Sequence, residues 1–268
     1  MAHKVIKGGR LPPYLPSWAF KGLLPSFAYM SLLFCLLLNG SIVFAAVPHR
    51  IISTMPSITE TLFALGLDKE IVGVTSNCNY PAAAKKKPQI GGFFLNNEKI
   101  VSLRPDLIVM IKDSQPRDID RLKKFKYPVF SLNPHTVKDI LNSIIELGKV
   151  TDRNRQAEDL VYRLQSRINK IKPKSWGIDF VLSRPRTIVI VGFDPLIVAG
   201  KGTVIDDVLR LAGAENIAAD SLSEYPQYSM EQLTQKDPDV LIVMKGVVKP
   251  EIIKSAGQWQ RISAIKHN

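Results

Sequence analysis

Glu98-Lys-Ile-Val-Ser-Leu-Arg-Pro105-Asp106-Leu-Ile-Val-Met110 recurs 133 residues later as Glu231-Gln-Leu-Thr-Gln-Lys-Asp-Pro238-Asp239-Val-Leu-Ile-Val-Met244. In each copy a polar, helix-forming run stops at Pro-Asp, where proline cannot continue a helix, and passes into an apolar, β-branched run suited to a buried strand. A weaker echo pairs Leu62…Gly66…Ile71 with Leu209…Gly213…Ile217. A helix-to-strand unit present twice implies two similar α/β lobes.

Working outward, the pattern predicts strands at Arg50 to Ser53, Ile71 to Val74, Leu107 to Ile111 and Val129 to Leu132. Helices are predicted at Ser57 to Leu65 and over 98–103 and 116–125. The second half repeats the alternation, with strands at Thr187 to Val191 and Val240 to Met244 and helices over 203–212 and 229–235. Such alternation specifies parallel sheets with crossover helices. Between the halves, residues 152–172 place Leu160, Leu164, Ile168 and Ile171 on one helical face, with Asp152 as the expected N-cap and Pro173 ending the pattern. A helix of that length spans about 30 Å, enough to connect two lobes as a strut. The expected organisation is a leader over 1–45, an N-terminal α/β lobe over 46–151, an interdomain helix over 152–172 and a C-terminal α/β lobe over 173–268.

The chain of 268 residues has 36 Lys and Arg against 24 Asp and Glu, a net charge of +12, and it is 46% hydrophobic, too apolar for a disordered chain. Part of the basicity is local: residues 1–45 hold Lys4, Lys7, Arg10 and Lys21 and no acid. A basic start, an apolar stretch from Phe27 to Leu38, and Val43 and Ala45 at the small-residue positions read as an export signal cleaved after Ala45. The alternative is an uncleaved anchor over Phe27 to Val47. A lipoprotein box at Cys35 is disfavoured by Phe34, since the residue before such a cysteine should be small. Cleavage would leave Cys78 alone and no intramolecular disulfide. The rest of the chain, at +8, has no Arg cluster interleaved with aromatics, so nucleic acid is not an expected partner.

Catalytic and metal signatures are missing. His49, His135 and His267 are widely separated, with no His or Cys pair at metal-ligand spacing and no Gly-x-Ser-x-Gly elbow. Gly200-Lys201-Gly202-Thr203 lacks the Ser or Thr that follows the lysine of a phosphate loop, and it reads as a turn into a helix. No enzyme activity, cofactor or metal is expected. An α/β enzyme using an inter-lobe cleft remains the alternative from another class.

Two constellations remain. Ser57-Ile-Thr-Glu60 and Ser229-Met-Glu231-Gln232 have the spacing of capping boxes, in which the acids serve the helix dipole. They also form a matched pair of charged knobs, one per lobe, that a two-headed partner can read. The aromatics Tyr80, Phe93, Phe94, Phe193 and Tyr225 lie in loops or at strand ends, where open α/β sheets bind ligands, and suggest an aromatic-walled cleft.

With Arg50-Ile-Ile-Ser-Thr-Met-Pro-Ser-Ile-Thr-Glu60-Thr-Leu-Phe-Ala-Leu-Gly66, Asn79-Tyr80-Pro81, Gly91-Gly92-Phe93, Leu103-Arg-Pro105-Asp106-Leu-Ile-Val and Gly213-Ala-Glu-Asn216-Ile in register, the chain resembles the substrate-binding proteins of ABC importers for cobalamin, iron siderophores and haem. The likeness is greatest to the cobalamin-binding members and runs from about Arg50 to His267. It implies two similar doubly wound lobes joined by one long helix, a periplasmic monomer, and a corrinoid carried as cargo to the permease subunits, with haem or a ferric siderophore as the alternative cargo. It also implies that Tyr80, Phe93, Phe94, Phe193 and Tyr225 line the cleft and that Glu60 and Glu231 dock on permease arginines. The family usually continues beyond Trp259 through another strand and one or two helices, so the second lobe is expected to be short of its final elements.

Overall fold

The computed structural model describes residues 47–92, 94–171 and 184–266. The leader over 1–45, Cys35, Phe93, Pro173 and His267 lie outside the described residues. Among the described residues no helix is long and apolar enough to cross a membrane.

The first lobe runs β1 (Ile51–Ser53), α1 (Pro56–Ala64), β2 (Ile71–Val74), α2 (Asn97–Ser102), β3 (Leu107–Ile111), α3 (Pro116–Lys124), β4 (Val129–Leu132) and α4 (Val137–Val150). Its sheet has the order β2-β1-β3-β4 and is parallel throughout, with Ile51 opposite Leu107 and Ile108 opposite Val129. Successive strand residues point to opposite faces, so Ile51, Leu107 and Val109 pack with Ile58, Leu62, Ile144 and Leu147 from α1 and α4. Ile52, Ile108 and Met110 pack on the other face with Ile100, Ile119 and Leu122 from α2 and α3. Burial on both faces is why these strands are continuous β-branched runs in the sequence. Helix α4 was not anticipated. Its start is marked by Thr136 and Asp139, which form a reciprocal capping box with aspartate in place of the usual glutamate or glutamine.

Helix α5 (Asn154–Ile171) begins two residues later than expected. Asp152 does not cap it: this residue takes φ 54° in the turn out of α4, a left-handed conformation that reverses the chain. The two helices then meet closely at Gly148, where a Cβ would lie 2.5 Å from the Cβ of Ala157. Leu160, Val161 and Leu164 pack on the first lobe's core, and Arg153 pairs with Glu70 at 3.0 Å. The helix is therefore docked along the first lobe, not held off as a free strut.

The second lobe contains β5 (Arg186–Phe193), β6 (Leu196–Val198), α6 (Val204–Leu211), β7 (Glu215–Asn216), α7 (Met230–Lys236), β8 (Val240–Val243), α8 (Pro250–Ser255) and α9 (Ser263–Lys266). Strand β5 pairs in parallel with β7 and β8 and antiparallel with β6. The sheet is thus mixed, where alternation alone predicts a parallel one. The tight turn at Asp194 and Pro195 folds the chain back on β5 as a hairpin before the crossover helix starts. Ile188, Ile190, Leu196, Leu233, Trp259 and Ile262 form the core on one face, and Val189, Ala199 and Leu209 form it on the other.

The sequence repeat is also a repeat of bonds. The segment after α2 turns at Arg104 (φ 45°), and α7 ends at Asp237 (φ 37°), each directly before Pro-Asp. The Asp106 carboxylate accepts the N–H groups of His49 and Arg50, each at 2.8 Å, and Asp239 accepts that of Arg186 at 2.8 Å. Arg50 donates to the carbonyl of Leu103 at 2.7 Å, and Arg186 donates to that of Asp237 at 3.0 Å. In both lobes, therefore, an arginine at the start of the central strand satisfies a carbonyl at the end of the neighbouring helix.

Candidate functional site

The carboxyl ends of β1, β3 and β4 open on one cavity of about 430 Å³. Met55 and Ile58 reach it from the start of α1, Ile111 and Ser114 from the end of β3, Leu132 and Pro134 from β4, and Ile140 and Ile144 from α4. The second lobe contributes Val204 at the start of α6 and Tyr225. No lining residue is charged; the polar groups are the hydroxyls of Ser57, Thr61, Ser114, Ser143 and Tyr225. An apolar recess of this size with a few hydroxyls, between two lobes at the carboxyl ends of parallel strands, has the build of a small-molecule site. Tyr225 is 52% exposed, and its partial burial and the neighbouring Glu224 charge raise the pKa of its phenol above the ordinary value.

The lobes are tied beside this cavity. Buried Asp207 of α6 accepts the N–H of Val137, the first residue of α4, at 2.8 Å, and it also pairs with Arg210. Thr203, in the segment that resembles a phosphate loop, caps α6 by accepting the Asp206 N–H at 3.1 Å. Among the described residues no group of His, Cys, Asp and Glu side chains is placed to hold a metal ion.

Of the five aromatics expected to wall the cleft, Tyr225 lines the cavity. Tyr80, beyond β2, and Phe94, beside the Gly91–Leu95 bridge, are 65% and 83% exposed. Phe193 ends β5 and stacks on Trp259, with ring centroids 6.0 Å apart, so one of its faces belongs to the second lobe's core. Phe93 lies outside the described residues. The apolar floor made by Ile111, Leu132, Ile140 and Ile144 has no distinguishing mark in the sequence, because apolar residues at strand ends read as core until the second lobe is placed over them.

The two acidic motifs differ in structure. Ser229 and Gln232 form the expected capping box at α7, with bonds of 3.1 and 2.8 Å, leaving Glu231 exposed at the second helical residue. Ser57 and Glu60 form none: α1 starts earlier, at Pro56, without a side-chain cap, and Glu60 lies beyond the first turn. The structural counterpart of Glu231 is Glu98, the second residue of α2, whose cap Asn96 accepts the Lys99 N–H at 2.9 Å. Glu60, Glu98 and Glu231 are all exposed. The 133-residue repeat contained the signal for Glu98.

Residues 51–268 match the model of the periplasmic binding protein family. A vitamin B12-binding protein of Pectobacterium atrosepticum is 31% identical over 218 residues, 80% of this chain and 77% of that protein. The crystal structure of the periplasmic vitamin B12-binding protein BtuF of Vibrio cholerae superposes with a TM-score of 0.71 at 26% identity, covering 82% of this chain and 86% of that one. The haem-binding protein RhuT from Roseiflexus superposes equally well, with a TM-score of 0.71, 26% identity and the same coverage. The chain belongs to the periplasmic binding protein family. It is a substrate-binding protein of ABC transporters, whose relatives include vitamin B12-binding and haem-binding proteins, and not an enzyme.

Proposed function

We propose that the exported chain, from Ala46 onward, captures a corrinoid in the inter-lobe cleft as a monomer and delivers it to the permease. The observation that carries this reading is the uncharged lining of the cavity, whose apolar side chains and hydroxyls suit a large ligand with an apolar edge. An anionic siderophore calls for basic side chains at the site. The vitamin B12-binding relative supports the same ligand. Tyr80, Phe93 and Phe94 are proposed to meet the parts of the ligand that extend beyond the cavity, with Phe193 offering its free face. The test is calorimetric titration of residues 46–268 with cyanocobalamin, haemin and a ferric siderophore. Binding of cyanocobalamin with weakened binding by Tyr225→Ala is expected; binding of haemin alone would transfer the assignment to haem.

Permease docking is proposed to use one exposed glutamate per lobe. Glu231 is one, and the repeat supports Glu98 as its mate over Glu60, because Glu98 and Glu231 occupy the same position of equivalent helices. Charge reversal separates the choices. Glu98→Lys with Glu231→Lys should abolish uptake and leave ligand affinity unchanged, whereas Glu60→Lys should leave uptake intact; the opposite pattern returns the role to Glu60.

A further inference from the structure

Helix α3 and the turn after it read Arg117-Asp-Ile-Asp-Arg-Leu-Lys-Lys-Phe-Lys126, five cations against two carboxylates. Ile119 and Leu122 are buried in the first lobe's core, which turns the opposite face of the helix outward. On that face Arg117, Asp120, Arg121, Lys124 and Phe125 line an open recess of about 510 Å³. Asp118 is taken by Arg121, one turn on. Among the described residues the side chains of Arg117, Lys123, Lys124 and Lys126 make no ion pair and no hydrogen bond. Between these lysines Phe125 is 68% exposed.

Cations in the last turn of a helix complement its dipole, which accounts for Lys123 and Lys124. That role does not extend to Lys126, which lies beyond the helix at φ 60°, nor does it explain a phenyl ring held in water between lysines. A soluble anion would satisfy the cations and leave the ring exposed. A surface that is anionic at its headgroups and apolar just beneath them satisfies both. We propose that this face of the first lobe docks on an anionic phospholipid surface, with the cations of the stretch on headgroup phosphates and Phe125 at the boundary with the acyl chains. The turn lies directly before Val129 of β4, at the amino end of the parallel sheet, whereas the cavity opens at the carboxyl ends. A chain held on lipid by this turn therefore keeps its cavity facing away from the membrane. The contact is independent of which ligand the cavity takes.

The test is sedimentation of the exported chain, from Ala46 onward, with phosphatidylcholine vesicles that contain or lack phosphatidylglycerol. Binding is expected only when phosphatidylglycerol is present, and it should weaken between about 0.1 M and about 1 M salt as the charges are screened. Lys123→Gln, Lys124→Gln and Lys126→Gln should each lower the partition coefficient by up to about fivefold. Phe125→Ser should lower it by about tenfold through the apolar contact alone. In Phe125→Trp the fluorescence of the introduced indole should shift to the blue when phosphatidylglycerol vesicles are added, relative to the native chain under the same conditions. Equal binding to both kinds of vesicle, or lysine variants that bind as the native chain does, would overturn the docking surface. An unchanged partition of Phe125→Ser together with no blue shift in Phe125→Trp would also overturn it, because the ring would then remain in water.

Discussion

The Asp207 carboxylate of α6 accepts the backbone N–H of Val137 at 2.8 Å, across 70 residues of sequence and from one lobe to the other. That N–H is among those at a helix start with no partner inside the helix, and a negative charge there is also favoured by the helix dipole. The bond fixes the start of α4, which supplies Ile140 and Ile144 to the cavity. Asp207→Ala is expected to lower stability by roughly 1 kcal/mol, the cost of losing a hydrogen bond to a half-buried donor. Asp207→Asn, which keeps an acceptor, should cost less. Urea unfolding of both variants checks the order.

The Pro-Asp repeat makes a graded prediction. Asp106 accepts two backbone N–H groups and Asp239 accepts one, so Asp106→Ala should destabilise more than Asp239→Ala, at about 1 kcal/mol for each bond removed. Equal urea midpoints for the two variants would contradict the bond count.

Gly148 is required by the approach of α5 to α4. A Cβ at this position would lie 2.5 Å from the Cβ of Ala157, so Gly148→Ala should destabilise by about 1–3 kcal/mol through overpacking. Adding Ala157→Gly should recover part of the loss, which thermal melts of the single and double variants can measure.

Asp237 latches the start of α9. Its carboxylate accepts the N–H and the hydroxyl of Ser263, each at 2.7 Å, and these bonds, with smaller contributions from Lys266 and Arg186, hold its pKa below the ordinary 3.8. A lowered aspartate stabilises the folded state above its unfolded pKa, and that contribution is lost as pH falls through the folded value. Exchange protection of the Ser263 amide should therefore persist at neutral pH and disappear in acid below about pH 3.8. Asp237→Asn should remove most of this pH dependence.

The strands at 51–53, 71–74, 107–111 and 129–132 were legible because burial on both faces demands unbroken β-branched runs, and the sequence contains them. Helix α4 was not, since its capping box uses aspartate where glutamate or glutamine is usual, and β6 was not, since it follows β5 after only Asp194 and Pro195 and pairs antiparallel, outside the strand–helix alternation. The family was legible from its landmarks in register, and the repeat already paired Glu98 with Glu231. The site was legible only in part. Tyr225 faces the cavity, while Phe193, equally aromatic and equally at a strand end, has one face taken by Trp259, 66 residues away in sequence.

By itself the sequence determined that this protein is built as two α/β lobes from a repeated helix–Pro-Asp–strand unit, because local pattern encodes which residues must be buried. Only the tertiary structure decided what lies between the lobes: the uncharged cavity and the Asp207–Val137 tie. Each of these joins residues far apart in the chain, and no local periodicity records such a meeting.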